Sequence, residues 1–366
     1  MAAKKSKKND SQAGKSQKSK RRNQNANDDA KHGKYATLKW SFQDVQGQIG
    51  TNMKLVYMIG ILVVVASVAM HKMTNQPSPE NESFSPLGTN EIDDSKSDLE
   101  RLVDLACREG SCEEGVLDAT DRTLSAGRTL EKDTKLLEVP RSMQIWSLDA
   151  FRDNFINTNL AGARHLKTKA LVVEQAYLAA YLALLVTNNV GSTQKTPMSL
   201  YLQNLPTYHD YKNEVYHPVT MDYDELNTLF GSESQTYCLV SKKRAEIESE
   251  YKAFVHKSTK FGETIDYEDY VAARLNVHTR AFEAGPLTES DATGAELSQL
   301  KERFGVDIRT RFATMVPLLD AFNSHNEKEQ NVRYKYNSRS NKFLAFASKD
   351  VAGGMELFDT LGNRAE

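Results

Sequence analysis

The sequence lacks the residue spacings that mark several common kinds of site. Its eight histidines contain no His-x-x-x-His pair, and its three cysteines have no zinc-finger spacing. A Walker-type phosphate loop and internal repeats are also missing. We therefore expect no metal site, no P-loop nucleotide site and no repeat architecture. Cys107 and Cys112 would pair if the compartment is oxidising, and Cys238 would then be left over.

The first part of the chain has almost no aliphatic residues before Tyr35. Residues 1–54 hold thirteen Lys or Arg against four Asp, with many Asn, Gln and Ser. Such a segment buries too little apolar area to offset the entropy lost on ordering, so we predict a disordered basic tail over 1–54. Because the whole chain sums to −2 and the tail supplies +9, the remainder carries −11.

A run of sixteen residues without a charge, Leu55 to Met70, follows this tail. As a helix it would be about 24 Å long, and snorkelling of Lys54 and Lys72 would extend it across the roughly 30 Å hydrocarbon core. A buried core helix is the alternative, but such a helix normally has a polar face and this run has none. We predict a transmembrane helix over 55–72.

Charge on the two sides of this span predicts its orientation. The basic residues precede it, and the positive-inside rule then places the N-terminus in the cytoplasm and the folded part across the membrane. Residues 73–99 read as a linker with the glycosylation sequon Asn81-Glu82-Ser83. We expect a single-pass protein of the endoplasmic reticulum or another endomembrane. The KKSKK and KSKRR runs also suit a nuclear address or anionic headgroups, but beside a span a topogenic role is simpler. No nucleic-acid partner is expected.

The most informative segment is the last fifty residues. MVPLLDAFNSHNEKEQNVRYKY (Met315 to Tyr336) gives an apolar run, an Asp-x-x-Asn turn and an alternation of polar and aromatic residues. FLAFASKDVAGGMELFDTLGN (Phe343 to Asn363) adds a Gly-Gly turn and a further strand.

This order resembles the closing half of a SET domain, the S-adenosylmethionine-dependent methyltransferase module, in the subfamily of the plant Rubisco large-subunit lysine methyltransferase. That subfamily reads Val-Pro-x-x-Asp-x-x-Asn-His, then Gly-Glu-Glu-hydrophobic-x-x-x-Tyr-Gly. Asp320 and Asn323 match, and Ser324-His325 stands where His-Ser is usual. Three later residues also match: Gly354, Glu356 and Gly362. Leu361 occupies the place of the tyrosine.

An earlier block resembles the opening of the same domain. RTLSAGRTLEKDTKLLEVP (Arg122 to Pro140) alternates apolar and polar residues, which favours a half-buried β-hairpin. It is similar to Arg-Gly-Leu-x-Ala followed by Lys-Gly and a strand ending in Val-Pro, with Thr123 and Asp133 in place of the glycines.

The region between these blocks is mainly helical. Lys169 to Asn188 is apolar on nearly every face and predicts a buried helix rather than a second membrane span. We predict further helices over Tyr223–Phe230 and Lys243–His256. Two blocks resemble the subfamily: Ser199 to Pro206 and Asp266 to Phe282. The expected fold is α+β: a SET-domain β-fold over 100–366 with a knotted C-terminal segment and an inserted helical subdomain at about 147–285.

The resemblance implies an S-adenosylmethionine cofactor and a protein substrate or partner. It implies cofactor contacts from the backbones of Leu124 and Ala126, and from Asn323 and His325. It implies substrate contacts from Arg280, Phe282 and Asp320. Each residue also has a plainer interpretation: turn asparagine, exposed loop histidine, turn cap, helix-terminal cation or core aromatic. Asp222-Tyr223-Asp224 is similar to the metal pair of glycosyltransferases, but we expect it to start a helix.

No catalytic residue is assigned with assurance, because Leu361 offers no oxygen to the methyl group in flight. The subfamily's second tyrosine and its C-terminal substrate-binding domain are absent from this sequence. Three explanations stay open. The sequence is incomplete, the fold lacks efficient transfer, or Tyr334 or Tyr336 serves instead. The two functions we expect are a protein-lysine methyltransferase and a non-catalytic, membrane-tethered binding module.

Overall fold

The computed structural model describes residues 96–120, 123–191, 196–285, 288, 291–305, 312–325 and 328–359. The expected basic tail, the membrane helix over 55–72 and most of the linker lie outside these residues, and so does Leu361. Within the described ranges, no helix combines the length and the apolar character needed to cross a membrane.

Helix α1 (Asp98–Arg108) is the first described element. Ser97 caps it, because the Ser97 side chain accepts from Glu100 N at 3.3 Å while the Glu100 carboxylate accepts from Ser97 N. The first described helix therefore begins at Asp98, two residues before the expected boundary at 100. A disulfide joins Cys107 to Cys112, with Cα atoms 4.4 Å apart, and Cys238 is free and exposed.

The strands predicted between Arg122 and Pro140 form, but they do not pair as a hairpin. Strand β2 (Thr123–Ala126) pairs antiparallel with β1 (Leu117–Thr120). Strand β3 (Lys135–Val139) instead joins β9 (Lys342–Ala347), which also pairs with β8 (Val332–Asn337). Alternation predicts that a strand has one buried face, but it does not select the partner strand, so the hairpin prediction was wrong.

A third sheet frames the helical region. Its central strand β6 (Phe312–Met315) pairs with β4 (Ile145–Trp146) on one side and with β5 (Phe282–Ala284) on the other. The chain leaves β4, forms the helices, and returns through β5 to the same sheet. These helices are α2 (Ser147–Arg152), α3 (Asn154–Asn159), α4 (Glu174–Asn189), α5 (Pro197–Asn204), α6 (Tyr208–Asn213), α7 (Tyr223–Phe230), α8 (Gln235–Lys257), α9 (Thr259–Thr264) and α10 (Tyr267–Arg280). Helix α11 (Gly294–Phe304) follows β5.

Caps explain where several of these helices begin. Asp222 accepts from Glu225 N at 2.8 Å, so it caps α7, and the described residues contain no group of side chains suited to a metal. Ser234 accepts from Tyr237 N at 3.0 Å, which starts α8 eight residues before the predicted Lys243. Asp266 caps α10 in the same way.

A buried ion pair joins α8 to α10. Arg274 Nε lies 2.9 Å from Glu250 Oε2, both side chains are at most 2 % exposed, and the Tyr270 hydroxyl donates to the same carboxylate at 3.1 Å. Rings surround this pair, with Tyr270 5.9 Å from Phe254 and 6.1 Å from Phe261. The pair fixes the axis of α10, the helix that ends at Arg280.

Glu250→Gln should lower the free energy of unfolding by about 3 kcal/mol, because it leaves the buried Arg274 charge only the partly exposed Glu246 carboxylate, 3.8 Å away, as a counterion. The matched control is Glu248→Gln on the same helix, where the carboxylate is half exposed and pairs with the exposed Lys252. That change should cost about 0.5 kcal/mol or less. Urea unfolding of both variants measures the difference. Equal losses would show that the buried pair does not hold α10.

Candidate functional site

The closing segment of the described chain pairs with the opening strand β2. Gly354 N donates to Ala126 O at 2.7 Å, Ala126 N donates to Met355 O at 2.9 Å, and Leu357 N donates to Leu124 O at 2.8 Å. Leu124 and Ala126 are both fully buried. Both backbone groups of Ala126 are therefore bonded inside the fold, and a contact of these two residues with a cofactor stays a prediction.

The end of the closing segment lies between two parts of one loop. Strand β10 (Phe358–Asp359) pairs parallel with β7 (Asn323–Ser324), and His325 N donates to Asp359 O at 3.0 Å. On its other side, Asn331 N donates to Phe358 O at 3.1 Å, and Phe358 N donates to Asn331 Oδ1 at 2.7 Å. The predicted knot needs the chain beyond Asp359, which lies outside the described residues.

The predicted cofactor residues Asn323 and His325 lie at the surface of this loop. Asn323 Nδ2 donates to Glu356 Oε1 at 2.6 Å, and Glu356 stands opposite Ser125 of β2. The His325 ring is exposed and lies 5.0 Å from the Phe358 ring. Glu356 thus links the predicted asparagine to the predicted opening strand.

Asp320 and Arg280, predicted as substrate-side residues, are in contact. Asp320 lies on a 3-10 turn (Leu319–Ala321), and Arg280 is the last residue of α10. Arg280 Nη1 donates to Asp320 O at 3.3 Å and lies 3.7 Å from Asp320 Oδ2. The same Oδ2 accepts from the Tyr201 hydroxyl at 2.7 Å. The Asp320 side chain is 1 % exposed and that of Arg280 is 30 % exposed, so the carboxylate is buried while part of the Arg280 side chain is exposed. The Arg280 guanidinium also hydrogen-bonds with the Tyr211 side chain.

Two buried tyrosines complete this cluster. Burial raises the pKa of Tyr201 well above its usual value, and the neighbouring Asp320 charge adds to that shift. Burial also raises the pKa of Tyr211, against the opposing effect of the Arg280 guanidinium. The Tyr211 hydroxyl donates to Asn276 Oδ1 at 3.0 Å. Both phenols therefore keep their protons and act as donors near neutral pH.

The turn that presents Asp320 has an unusual backbone. Leu318 is fully buried and has φ +67° and ψ −35°, a region that branched side chains rarely occupy. Asp320 N donates to Val316 O and Ala321 N donates to Leu318 O, both at 3.2 Å. Such a conformation persists only where surrounding contacts impose it, and it often marks a functional site.

Phe282 follows Arg280 by two residues and lies in the core. It is 3 % exposed, and its ring lies 5.1 Å from Tyr334 in an edge-to-face arrangement. Tyr336 donates to Asn341 Oδ1 at 3.0 Å and packs 5.9 Å from the Trp146 ring. Tyr334 and Tyr336 were the two tyrosines considered as replacements for the missing subfamily tyrosine. Of these two, Tyr334 contacts Phe282, a residue predicted to contact the substrate.

Sequence reasoning assigned no role to two residues of this site, Tyr201 and Asn331. Tyr201 lies in the Ser199–Pro206 block, which carried a family resemblance without a function. The sequence did contain a signal for Tyr201, because it is a polar aromatic residue on the buried side of a short capped helix. Asn331 is 2 % exposed and bonds the closing segment through its amide, but its polar neighbours gave no sign of burial.

No family model and no curated protein matches the chain. The chain is similar to the crystal structure of the SET domain of LSMT bound to lysine and AdoHcy. The match has 13% sequence identity and a TM-score of 0.50, and it covers 73% of this chain and 54% of that chain.

Two further solved structures are similar. Rubisco LSMT bound to AdoMet matches with 13% sequence identity and a TM-score of 0.49, and the match covers 73% of this chain and 53% of that chain. Rubisco LSMT bound to sinefungin and monomethyllysine matches with 14% identity, the same coverage and a TM-score of 0.46. The chain spans about half the length of these proteins. The mixed helix-and-sheet prediction is confirmed, and the described chain has the fold of an LSMT-like SET domain.

Proposed function

We propose that this protein binds S-adenosylmethionine and methylates a lysine side chain of a protein substrate. The observation that carries the proposal is the contact of Arg280 with buried Asp320, three residues before the Asn323 strand. It occurs within the fold of a domain solved with lysine and AdoHcy.

The residues of the site fit this cofactor. Its amino-acid part carries a carboxylate. We assign Arg280, which the sequence predicted as a substrate-side residue, to that carboxylate, because a guanidinium has five N–H donors and this side chain is 30 % exposed. The exposed Asn323 amide and His325, with the backbone near Leu124 and Ala126, would form the rest of the cofactor site. When bound, the cofactor supplies an electrophilic methyl group on its sulfonium sulfur.

The chain's own residues would prepare the lysine. A free lysine has a pKa of about 10.4, so its amine must lose a proton before it attacks. The buried Asp320 carboxylate would attract the cationic form towards the site, and the apolar rings of Phe282 and Tyr334 would keep water from the amine. We assign Tyr334 as the phenol that would face the amine, because its ring contacts Phe282.

A non-catalytic binding module is the second candidate. It is favoured by Leu361, which has no hydroxyl at the position of the subfamily tyrosine. Such a protein would keep the cofactor and peptide contacts without turnover.

We further propose that the SET-fold part is lumenal, tethered by a helix over 55–72 with the basic tail in the cytoplasm. The Cys107–Cys112 disulfide supports an oxidising compartment. Protease treatment of sealed microsomes should leave the SET-fold part intact until detergent is added. Digestion without detergent would show that the orientation is wrong while leaving the fold unaffected.

Arg280→Ala should weaken S-adenosylmethionine binding about tenfold or more, because a charged hydrogen bond to the carboxylate is lost. Calorimetry on the full-length protein in detergent measures the Kd. Arg333→Ala is the matched control, since Arg333 pairs with Asp133 on the outer sheet face and should change the Kd less than about twofold. Equal effects of both changes would contradict the assigned site.

Leu361→Tyr should raise methyl transfer to protein about tenfold or more, since it adds an oxygen dipole at the sequence position of the subfamily tyrosine. Incorporation of labelled methyl groups into lysate proteins measures it. Leu361→Phe adds the ring without the hydroxyl and should give no gain. If Leu361→Tyr binds the cofactor but transfers nothing, the binding-module function is the correct one.

A further inference from the structure

Among the described residues, a phenol and a guanidinium face one carboxylate oxygen of the site at unequal distances. Asp320 Oδ2 accepts from the neutral Tyr201 hydroxyl at 2.7 Å, while the Arg280 guanidinium stays 3.7 Å away. The first distance is a normal O–H···O bond, and the second exceeds the range of N–H···O bonds. A charged donor normally binds a carboxylate more strongly than a neutral one, so this order requires an explanation.

The phenol is held in place by its helix. Tyr201 lies on α5, whose first turn is fixed by Pro197 and by Thr196, which accepts from Ser199 N at 3.1 Å. Helix α5 packs against α1, and Tyr201 is 3 % exposed. The tyrosine ring therefore has little freedom to leave Asp320.

Arg280 has the opposite character, because its side chain is 30 % exposed. Within the described ranges it contacts Asp320 and the neighbouring Tyr211 hydroxyl. If the Tyr201 hydroxyl were removed, the buried Oδ2 would lose a donor, and Arg280 is the nearby cation that would move onto it. A closed ion pair would withdraw guanidinium N–H groups from any external ligand.

We infer that Tyr201 is a positioning residue. Its hydroxyl occupies Asp320 Oδ2 and thereby keeps the Arg280 guanidinium available for an external carboxylate. The identity of that carboxylate as the amino-acid part of S-adenosylmethionine rests on the proposed function. The effect of Tyr201 on the position of the Arg280 guanidinium does not depend on the proposed function.

The test is Tyr201→Phe in the full-length protein, which keeps the ring and removes the donor. Phenylglyoxal labels accessible arginines, and peptide mass spectrometry gives the rate at Arg280 relative to Arg333 in the same sample. We expect Tyr201→Phe to slow the relative labelling of Arg280 about tenfold and to raise the S-adenosylmethionine Kd about tenfold. A purely structural role would lower stability without changing this ratio.

Two further variants test the mechanism. Tyr211→Phe removes the other buried phenol, which does not bond to Oδ2, so the labelling of Arg280 should not slow. Asp320→Asn removes the charge that would draw Arg280 inwards, so labelling should speed up. Adding Tyr201→Phe to Asp320→Asn should then change labelling less than about twofold. Asp320→Asn also supplies a test if Tyr201→Phe does not fold.

Unchanged labelling of Arg280 in Tyr201→Phe, or slower labelling in Asp320→Asn, would overturn the inference. Slower labelling in Tyr201→Phe of a protein that does not bind S-adenosylmethionine would support the positioning role. The failure of that protein to bind S-adenosylmethionine would contradict the proposed cofactor.

Discussion

The backbone pairing of the closing segment is the constraint on which the site depends. Residues 354–359 bond to β2 on one side and to the loop from Asn323 to Asn331 on the other. The contacts with β2 join parts of the chain that are more than two hundred residues apart in sequence, so they close large loops and must form against a high entropic cost. Buried amides inside such a junction need partners, and the pairing supplies them. Without it, Asn323, Glu356 and the opening strand would not meet.

The helical insertion contributes the charged part of the site. Helix α10 carries Arg280 at its end, and the Arg274–Glu250 pair two turns earlier fixes that helix against α8. Helix α5 brings the Tyr201 hydroxyl to Asp320. The strands therefore provide the paired backbone of the site, while the helical insertion provides Tyr201 and Arg280, the two side chains that face the Asp320 carboxylate. Both parts are anchored to one sheet, because β4 and β5 pair with the same strand β6.

Local patterns predicted the elements better than their partners. The helix over Tyr223–Phe230 and the Gly-Gly turn follow from caps and from glycine, and the structure has both, with Gly354 at φ +79°. The pairing of β2 and β3 did not follow, since alternation fixes a face and not a neighbour. Arg280 and Asp320 were found through resemblance, whereas Tyr201 was missed because its role depends on a distance between two remote residues. Leu361 was noticed from sequence alone and lies outside the described residues.

A neutral donor at Asp320 has a consequence for how the site responds to pH. Burial raises the pKa of Tyr201 and of Tyr211, and the pKa of Arg280 is also raised, with burial opposing the larger combined effect of Asp320 and the two phenols. None of these three groups changes its charge near neutral pH. If the site methylates lysine, the charges of these three groups around the substrate amine therefore stay constant near neutral pH, and the amine, whose ordinary pKa is about 10.4, must lose a proton before it reacts. The protein would act by holding a fixed arrangement of charge around that amine, and its rate would rise with pH as the neutral amine becomes more abundant.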